Sequence, residues 1–403
     1  MYKEKIEQEP RKSLSRFQVM LMSVAAGVSV ANIYYNQPIL NEISTSLNIN
    51  ETSAGFISIL SQVGYGLGLF FITPLGDKIN KKKLIVVLQA LLFLSLLLIT
   101  ISGDIYQVWA LSLLIAVFSV SVQVIMPMAA GLDPENRGQT VGTIFTGVLI
   151  GILAARVFSG SIAEWFGWRY VYAISAMAIL LMVILLQLFL PRVKNYFEGS
   201  YPELLISAVK QLKRFRLLRS VSAIGALQFG VFSSFWTTLT FHLSGAPFYY
   251  HSDTIGLFGL VAIAGASMAP VLGKHADRGG SRRVRFAAIS LIIFSIILMM
   301  AVRTSVVALV LGVLLLDVGV QAMQVTNVAL IYTLDEKFHS RINTVFMTSV
   351  FIGGALGTLA GVYSWQHGGW TGVTAQMLIF SLMILWLLIK ERKQAQLLSH
   401  LNN

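Results

Sequence analysis

The sequence predicts an all-α membrane protein of twelve transmembrane helices, arranged as two six-helix pseudo-repeat bundles. Three observations predict it. Of 403 residues, 56% are hydrophobic and only 12% are charged, where soluble domains average about half and a quarter. The apolar residues gather in runs of about 20, the length that crosses hydrocarbon as a helix. The polar chemistry that follows the second run returns in the second half of the chain.

The runs, bounded by charges or turn residues, are 17–41, 54–75, 84–102, 105–131, 140–162, 170–190, 220–245, 254–273, 285–302, 304–332, 342–364 and 371–390. Backbone groups in hydrocarbon must bond one another, and spans this long do so as helices; barrel strands would be half the length. The first 16 residues are polar and basic (Lys3, Lys5, Arg11, Lys12, Arg16) with no small-residue cleavage site after the first run. That run therefore reads as a retained helix, not a signal peptide.

Charge fixes the expected orientation. With a cytoplasmic N-terminus, 27 of the 30 Lys and Arg fall on the inner side, only Arg169 and Arg303 fall outside, and Arg156 lies within a span. This is the positive-inside pattern. It accounts for the net charge of +12 without a nucleic-acid partner, and the basic rim is expected to meet anionic lipid headgroups. Both termini are then cytoplasmic.

The longest polar interruption, 191–219, carries Lys210, Lys213, Arg214, Arg216 and Arg219. It divides an N-terminal six-helix bundle (1–190) from a C-terminal one (220–403), as a cytoplasmic linker. Residues 210–219 read either as an amphipathic surface helix or as a solvated loop.

The halves repeat one another. Asp77-Lys-Ile-Asn-Lys-Lys-Lys83 follows span two, and Asp277-Arg-Gly-Gly-Ser-Arg-Arg283 follows span eight. A second echo runs from Val122-Gln123 and Val320-Gln321, through Asp133 and Asp335 and then Arg137 and Arg341. It closes on Phe145-x-Gly147-x-x-x-Gly151 and Phe351-x-Gly353-x-x-x-Gly357. Two six-span halves that start on the same side are parallel repeats, and transporters place substrate near the midplane between such halves.

Several function classes are excluded. Without Cys there are no disulfides, thiolate nucleophiles or Cys-held metals. No Walker A, His-Glu-x-x-His or Gly-x-Ser-x-Gly motif occurs, so ATP-driven transport and the common membrane hydrolases lack support. Gly64-Tyr-Gly66-Leu-Gly68 lies inside span two with no preceding strand and reads as helix packing.

With Asp77, Lys78, Lys81, Lys82 and Lys83 in the first half, and Gly273, Asp277, Arg278, Gly280, Arg282 and Arg283 in the second, the sequence resembles the major facilitator superfamily over essentially its whole length. These residues match that family's loop between its second and third spans. Ala31-Asn-Ile-Tyr-Tyr-Asn-Gln-Pro38, Gly167-Trp168-Arg169 and Ser340-Arg341-Ile342-Asn343 are similar to bacterial twelve-span sugar and drug efflux permeases. The resemblance implies a multi-pass protein of the bacterial cytoplasmic (inner) membrane, a secondary active transporter and not an enzyme. It implies a fold in which spans one, four, seven and ten line the cavity.

Of 18 Asp and Glu, only Asp317 lies within a span. An ionised carboxylate there is costly, so it either titrates or is permanently hydrogen-bonded. Gln321 and Gln324 share its helical face, and a carboxyl that gains and loses a proton in such a stripe would couple transport to the proton gradient. Arg156, a guanidinium that does not deprotonate, could attract an anionic substrate, pair with Asp317, or tie helices together. Ala155-Arg156 stands where many antiporters of the family carry Gly-Pro.

On span one, Asn32, Tyr35 and Asn36 fall on one face, beside Gln37 and Pro38, and are expected either to contact substrate or to bond neighbouring helices. Ser119, Gln123 and Met126 on span four, and Gln228, Phe232, Phe235 and His242 on span seven, form matching stripes. Asp77, Lys78, Asp277, Arg278, Arg282 and Arg283 are expected to act as cytoplasmic latches, with carboxylates favoured near helix N-termini.

The expected function is alternating-access, proton-coupled efflux of small organic molecules such as drugs or sugars. Proton-coupled uptake and a transport-inactive receptor or scaffold are the alternatives. The expected partners are a small-molecule substrate, protons and membrane lipids, with no nucleic acid, no cofactor, no metal, and a monomeric chain.

Overall fold

A computed structural model describes residues 14–191, 200–267 and 280–401, and those residues are helical with short connections. In chain order the α-helices are α1 (Arg16–Ala31), α2 (Asn36–Ser46), α3 (Glu51–Leu67), α4 (Leu75–Lys78), α5 (Lys81–Thr100), α6 (Ile105–Phe118), α7 (Ser121–Leu132) and α8 (Arg137–Phe166). They continue with α9 (Trp168–Phe189), α10 (Tyr201–Arg214), α11 (Arg216–Ser244), α12 (Ser252–Ser267), α13 (Ser281–Ala301), α14 (Val306–Ile331) and α15 (His339–Leu401). Among the described residues, eight helical runs are long and apolar enough to cross a membrane, and the bent pair α1–α2 makes a ninth. The run α15 is interrupted at Gly369 (φ 53°, ψ −147°); with that run counted as two segments, and with α11 and α12 added, the total matches the twelve expected spans.

Three expected spans are not single α-helices. Span one breaks at residues 32–35 and bends by 41°. Pro38 sits in the first turn of α2, where its missing N–H costs nothing. Span two passes into a π-helical turn, Gly68–Ile72, before Pro74 opens α4. Span four breaks between α6 and α7, where the Ser119 hydroxyl donates to the Ile115 carbonyl at 2.7 Å, a back-bond that bends helices. The amphipathic element between the halves also differs from the expected 210–219. It is α10, opened by the capping box of Ser200 and Glu203 and ended by an extended Phe215.

The packing explains the glycine echo between the halves. A Cβ on Gly147 or Gly151 of α8 would meet the backbone of Ser23 and Gly27 on α1 at 2.4 and 2.2 Å. In the second half, a Cβ on Gly353 or Gly357 of α15 would meet Ala226 and Gly230 of α11 at 2.2 Å. The same backbone-to-backbone crossing thus joins the first and fifth spans and the seventh and eleventh, as small residues allow in membranes. In Gly64-Tyr-Gly66-Leu-Gly68, Gly64 packs on Leu113 and Gly68 on Val117 and Val120.

Two large apolar cores follow. One gathers α1 through α9 together with Phe241 of α11 and Phe351 of α15, and the other gathers α11 through α15. Between them, α3 packs against α15, α8 against α12, and α2 against α11. The Thr240 hydroxyl donates to the Gln37 carbonyl at 2.6 Å, and Trp365 Nε1 donates to Glu51 at 2.6 Å.

At the end opposite the basic loops, Gly167-Trp168-Arg169 forms a clasp. Gly167 adopts φ 94°, ψ 153°, a conformation open essentially only to glycine. It turns the Trp168 amide onto the Glu42 carboxylate at 2.7 Å, while Arg169 stacks on Trp168 at 4.3 Å and donates to the Ser102 carbonyl at 2.9 Å. Gly167→Ala is expected to cost about 1–3 kcal/mol of stability, read as a lower midpoint in thermal unfolding of the purified protein. An unchanged midpoint would show that the turn relaxes freely.

Candidate functional site

The centre of the molecule holds two buried charges from different halves. Arg156 on α8 is 1% exposed and Asp317 on α14 is 2% exposed. Arg156 owes its place to small neighbours. A Cβ on Gly256 of α12 would meet its carbonyl at 2.5 Å, and one on Gly259 would meet its own Cβ at 3.0 Å. These glycines let α12 lie directly on α8, and the arginine side chain is directed inward past them.

The guanidinium is held on three sides. Its Nε donates to Gln37 Oε1 of α2 at 2.9 Å. The Trp236 ring of α11 lies 3.9 Å from its central carbon, with Tyr34 at 5.4 Å and Phe232 at 5.9 Å. Cation–π contact with a desolvated arginine is worth about 2 kcal/mol. Nη2 nevertheless remains buried without a hydrogen-bond partner.

Asp317 is left in the complementary state. Its Oδ2 is buried and unpartnered, and among the described residues no ion pair within 4.0 Å joins it to Arg156. The two charges still act on each other electrostatically. They come from different halves and do not close into a salt bridge.

Around this pair, the residues singled out in the sequence divide. Asn32 donates to the Val28 carbonyl at 2.8 Å and accepts from Ser175 of α9 at 2.8 Å; Asn36 donates to Ser61 at 3.2 Å and accepts from Ser58 at 2.8 Å, both on α3. Tyr35 is buried against Phe158, with ring centroids 5.6 Å apart. Gln228 donates to the Val320 carbonyl at 2.8 Å and accepts from Asn327 at 3.4 Å, tying α11 to α14.

Gln123 is half-buried and donates to the Tyr65 hydroxyl at 3.2 Å. Gln321 and Gln324, also half-buried, continue the Asp317 face toward the basic end, where the Oε1 of Gln324 and the Oδ1 of Asn327 lack partners. His242 stacks on Trp370 at 4.2 Å and contacts the Arg303 carbonyl through Nε2 at 2.9 Å, far along α11 from the central pair.

Sequence reasoning did not single out Gln37 as the arginine's partner, nor Tyr34 and Trp236. The signal was obscured because the stripe Asn32, Tyr35, Asn36 assumes one continuous helix. The break at 32–35 rotates α2, so Gln37 rather than Asn36 turns toward α8. Gln37→Leu is expected to cost about 2 kcal/mol, because it leaves a charged donor buried without its acceptor. In an Arg156→Met background that cost should vanish, and a double-mutant cycle by denaturant unfolding measures the difference.

At the basic end, Asp77 and Lys78 are exposed on α4, and among the described residues they form no ion pair; Arg282 and Arg283 are exposed at the start of α13. Asp277 and Arg278 lie outside the described residues. The ion pairs found there are ones the sequence had not suggested. Arg285 meets Glu391 at 2.7 Å, Glu391 also accepts from Ser220, and Arg214 meets Asp335 at 3.2 Å.

The family model described as Major Facilitator Superfamily matches residues 22–358. The chain belongs to the major facilitator superfamily. It is 38% identical over 382 residues to the uncharacterized transporter YgaY of Escherichia coli O157:H7, covering 94% of this chain and 97% of that protein. It is 24% identical over 375 residues to the inner membrane transport protein YnfM of Escherichia coli K12, covering 91% and 89%.

Among solved structures, the fold is shared with a bacterial homologue of the human lysosomal transporter Spinster, at TM-score 0.72 and 14% identity over 94% of this chain and 96% of that one. It is shared also with the POT family transporter PepTSo, at TM-score 0.71 and 15% identity over 95% and 98%. The protein is thus a multi-pass membrane transporter of small molecules and not an enzyme.

Proposed function

We propose that this transporter is a monomer in the bacterial cytoplasmic membrane that exports small organic molecules in exchange for protons by alternating access. The observation that carries the reading is Asp317, a buried carboxyl whose Oδ2 has no partner, opposite an arginine from the other half. A permanently structural carboxylate would be satisfied at this depth, since an unpaired buried charge costs several kcal/mol. A carboxyl that exchanges its proton is stable there only when protonated or when a cationic group meets it.

The bundles 1–190 and 220–403 rock about the contacts of α3 with α15 and α8 with α12, with 191–219 linking them. The basic end faces the cytoplasm and its anionic lipids, following the positive-inside distribution of the loops. Asp77, Lys78, Asp277, Arg278, Arg282 and Arg283 serve as latches there. Around the central pair, Gln321 and Gln324 offer polar contacts on α14 and Gln123 on α7. Asn32, Tyr35, Asn36 and Gln228 touch substrate only where rocking loosens their present helix contacts.

The test uses everted vesicles with an inward-acid pH gradient and a panel of sugars, lipophilic cations and organic anions. Proton release on adding a compound, in vesicles holding the protein and not in empty ones, is the expected result. Proton movement of the opposite sign would establish uptake by symport instead. Silence with folded protein across the panel would overturn the proton-coupled reading.

A further inference from the structure

The two unpartnered charged atoms at the centre have opposite chemistry. Arg156 Nη2 is a donor fixed by Gln37 behind it and Trp236 beneath it, and Asp317 Oδ2 is an acceptor on the facing half. Trp236 Nε1 on α11, in the same half as Asp317, is a second donor without a partner beside Arg156, and Gln324 Oε1 and Asn327 Oδ1, farther along the Asp317 helix, lack donors. The Arg156 wall therefore offers a donor and the Asp317 wall an acceptor. Either wall alone would suit an ion of one sign; together they do not, because such an ion would satisfy one charge and repel the other.

We propose that the central site takes an organic zwitterion, with an anionic group such as a carboxylate on Arg156, an ammonium on Asp317, and an apolar body against Phe232 and Trp236. The proposal rests on the transporter reading of the same site and adds its substrate class. Each end of such a ligand would meet an atom that has no partner within the protein. Arg156 presents a planar donor edge that matches a carboxylate, and Asp317 accepts the ammonium. The ammonium and a proton compete for the same carboxyl oxygen, so binding the ligand expels the proton and protonation releases the ligand. Exchange then needs no further coupling residue.

The experiment uses three matched probes on the purified full chain: phenylalanine, phenylalanine amide, which keeps only the positive charge, and 3-phenylpropionate, which keeps only the negative one. Affinities are read from ligand-induced thermal shifts in wild type, Arg156→Gln, Arg156→Lys and Asp317→Asn. Phenylalanine is expected to bind wild type at least about tenfold more tightly than either analogue, about 1.4 kcal/mol. Arg156→Gln should erase its advantage over the amide, and Asp317→Asn its advantage over the acid. Arg156→Lys keeps the charge and serves if the glutamine variant does not fold; partial loss of the advantage over the amide is expected there.

A wild type that binds either singly charged analogue as tightly as phenylalanine overturns the proposal, as does the absence of any shift with phenylalanine. The transport reading fails separately. Proton release from vesicles by the amide or the acid alone would keep proton exchange and reject the zwitterion. Phenylalanine binding without proton movement would keep the ligand class and reject the exchange.

Discussion

Asp317→Asn is expected to abolish proton-driven transport while leaving the protein folded. Asparagine has nearly the shape of aspartate but no proton to release, so it mimics the protonated carboxyl permanently. The substitution also removes a carboxylate buried in the middle of α14, whose ionised form costs several kcal/mol in such surroundings. Stability is therefore expected to be unchanged or raised, which separates lost coupling from lost fold. The two readouts are substrate movement driven by a pH gradient, and the thermal unfolding midpoint of the purified variant. Loss of the first with retention of the second is the expected pair. Full coupling in the variant would move the proton site elsewhere, with Asp77 or Asp277 the next to test.

Gly151→Val and its counterpart Gly357→Val are expected to be the most damaging to the fold. A Cβ at either place lands 2.2 Å from the backbone of the facing helix, and backbone cannot yield as a flexible side chain does. Overpacking of this kind costs about 1–3 kcal/mol. In a membrane the loss falls on the close helix contact that small residues exist to permit. Gly142→Ala, on the same helix, is the internal control. Nothing lies within 4 Å of its Cβ, so alanine should stabilise by up to about 1 kcal/mol through helix propensity. Opposite signs for the two substitutions in thermal unfolding would confirm that contact, not glycine content, is what matters. Equal effects would show that α8 moves away without penalty. Gly151→Val should also impair function beyond its effect on stability, because Arg156 rides on the same helix.

Much of the fold was legible because hydrocarbon imposes few choices. Spans of about 20 apolar residues must be helices there, and the paired glycine spacing at Gly147, Gly151 and Gly353, Gly357 marked the crossings that the structure shows. Asp317 and Arg156 stood out for a related reason, since an ionisable residue inside a span is expensive and has few explanations. Less legible was anything that depends on a break in a helix. Span one reads as continuous, and its i, i+3, i+4 face pointed to Asn32 and Asn36. Both bond neighbouring helices through Ser175, Ser58 and Ser61, the second of the two roles that face allowed. Periodicity holds only within one helix, and the bend at residues 32–35 resets it, which brings Gln37 to Arg156.

The amphipathic helix between the halves was displaced for a different reason. Its start is set by the capping box of Ser200 and Glu203, and the basic residues that drew attention to 210–219 lie at its end. Sequence by itself determined the helical membrane architecture, the repeat and the two intramembrane charges, because each follows from the cost of polar groups in lipid. Only the tertiary structure decided that Arg156 and Asp317 are buried on helices of different halves without forming an ion pair. That arrangement depends on where α8, α11 and α14 cross, and the crossings are set by close packing between residues far apart in the chain.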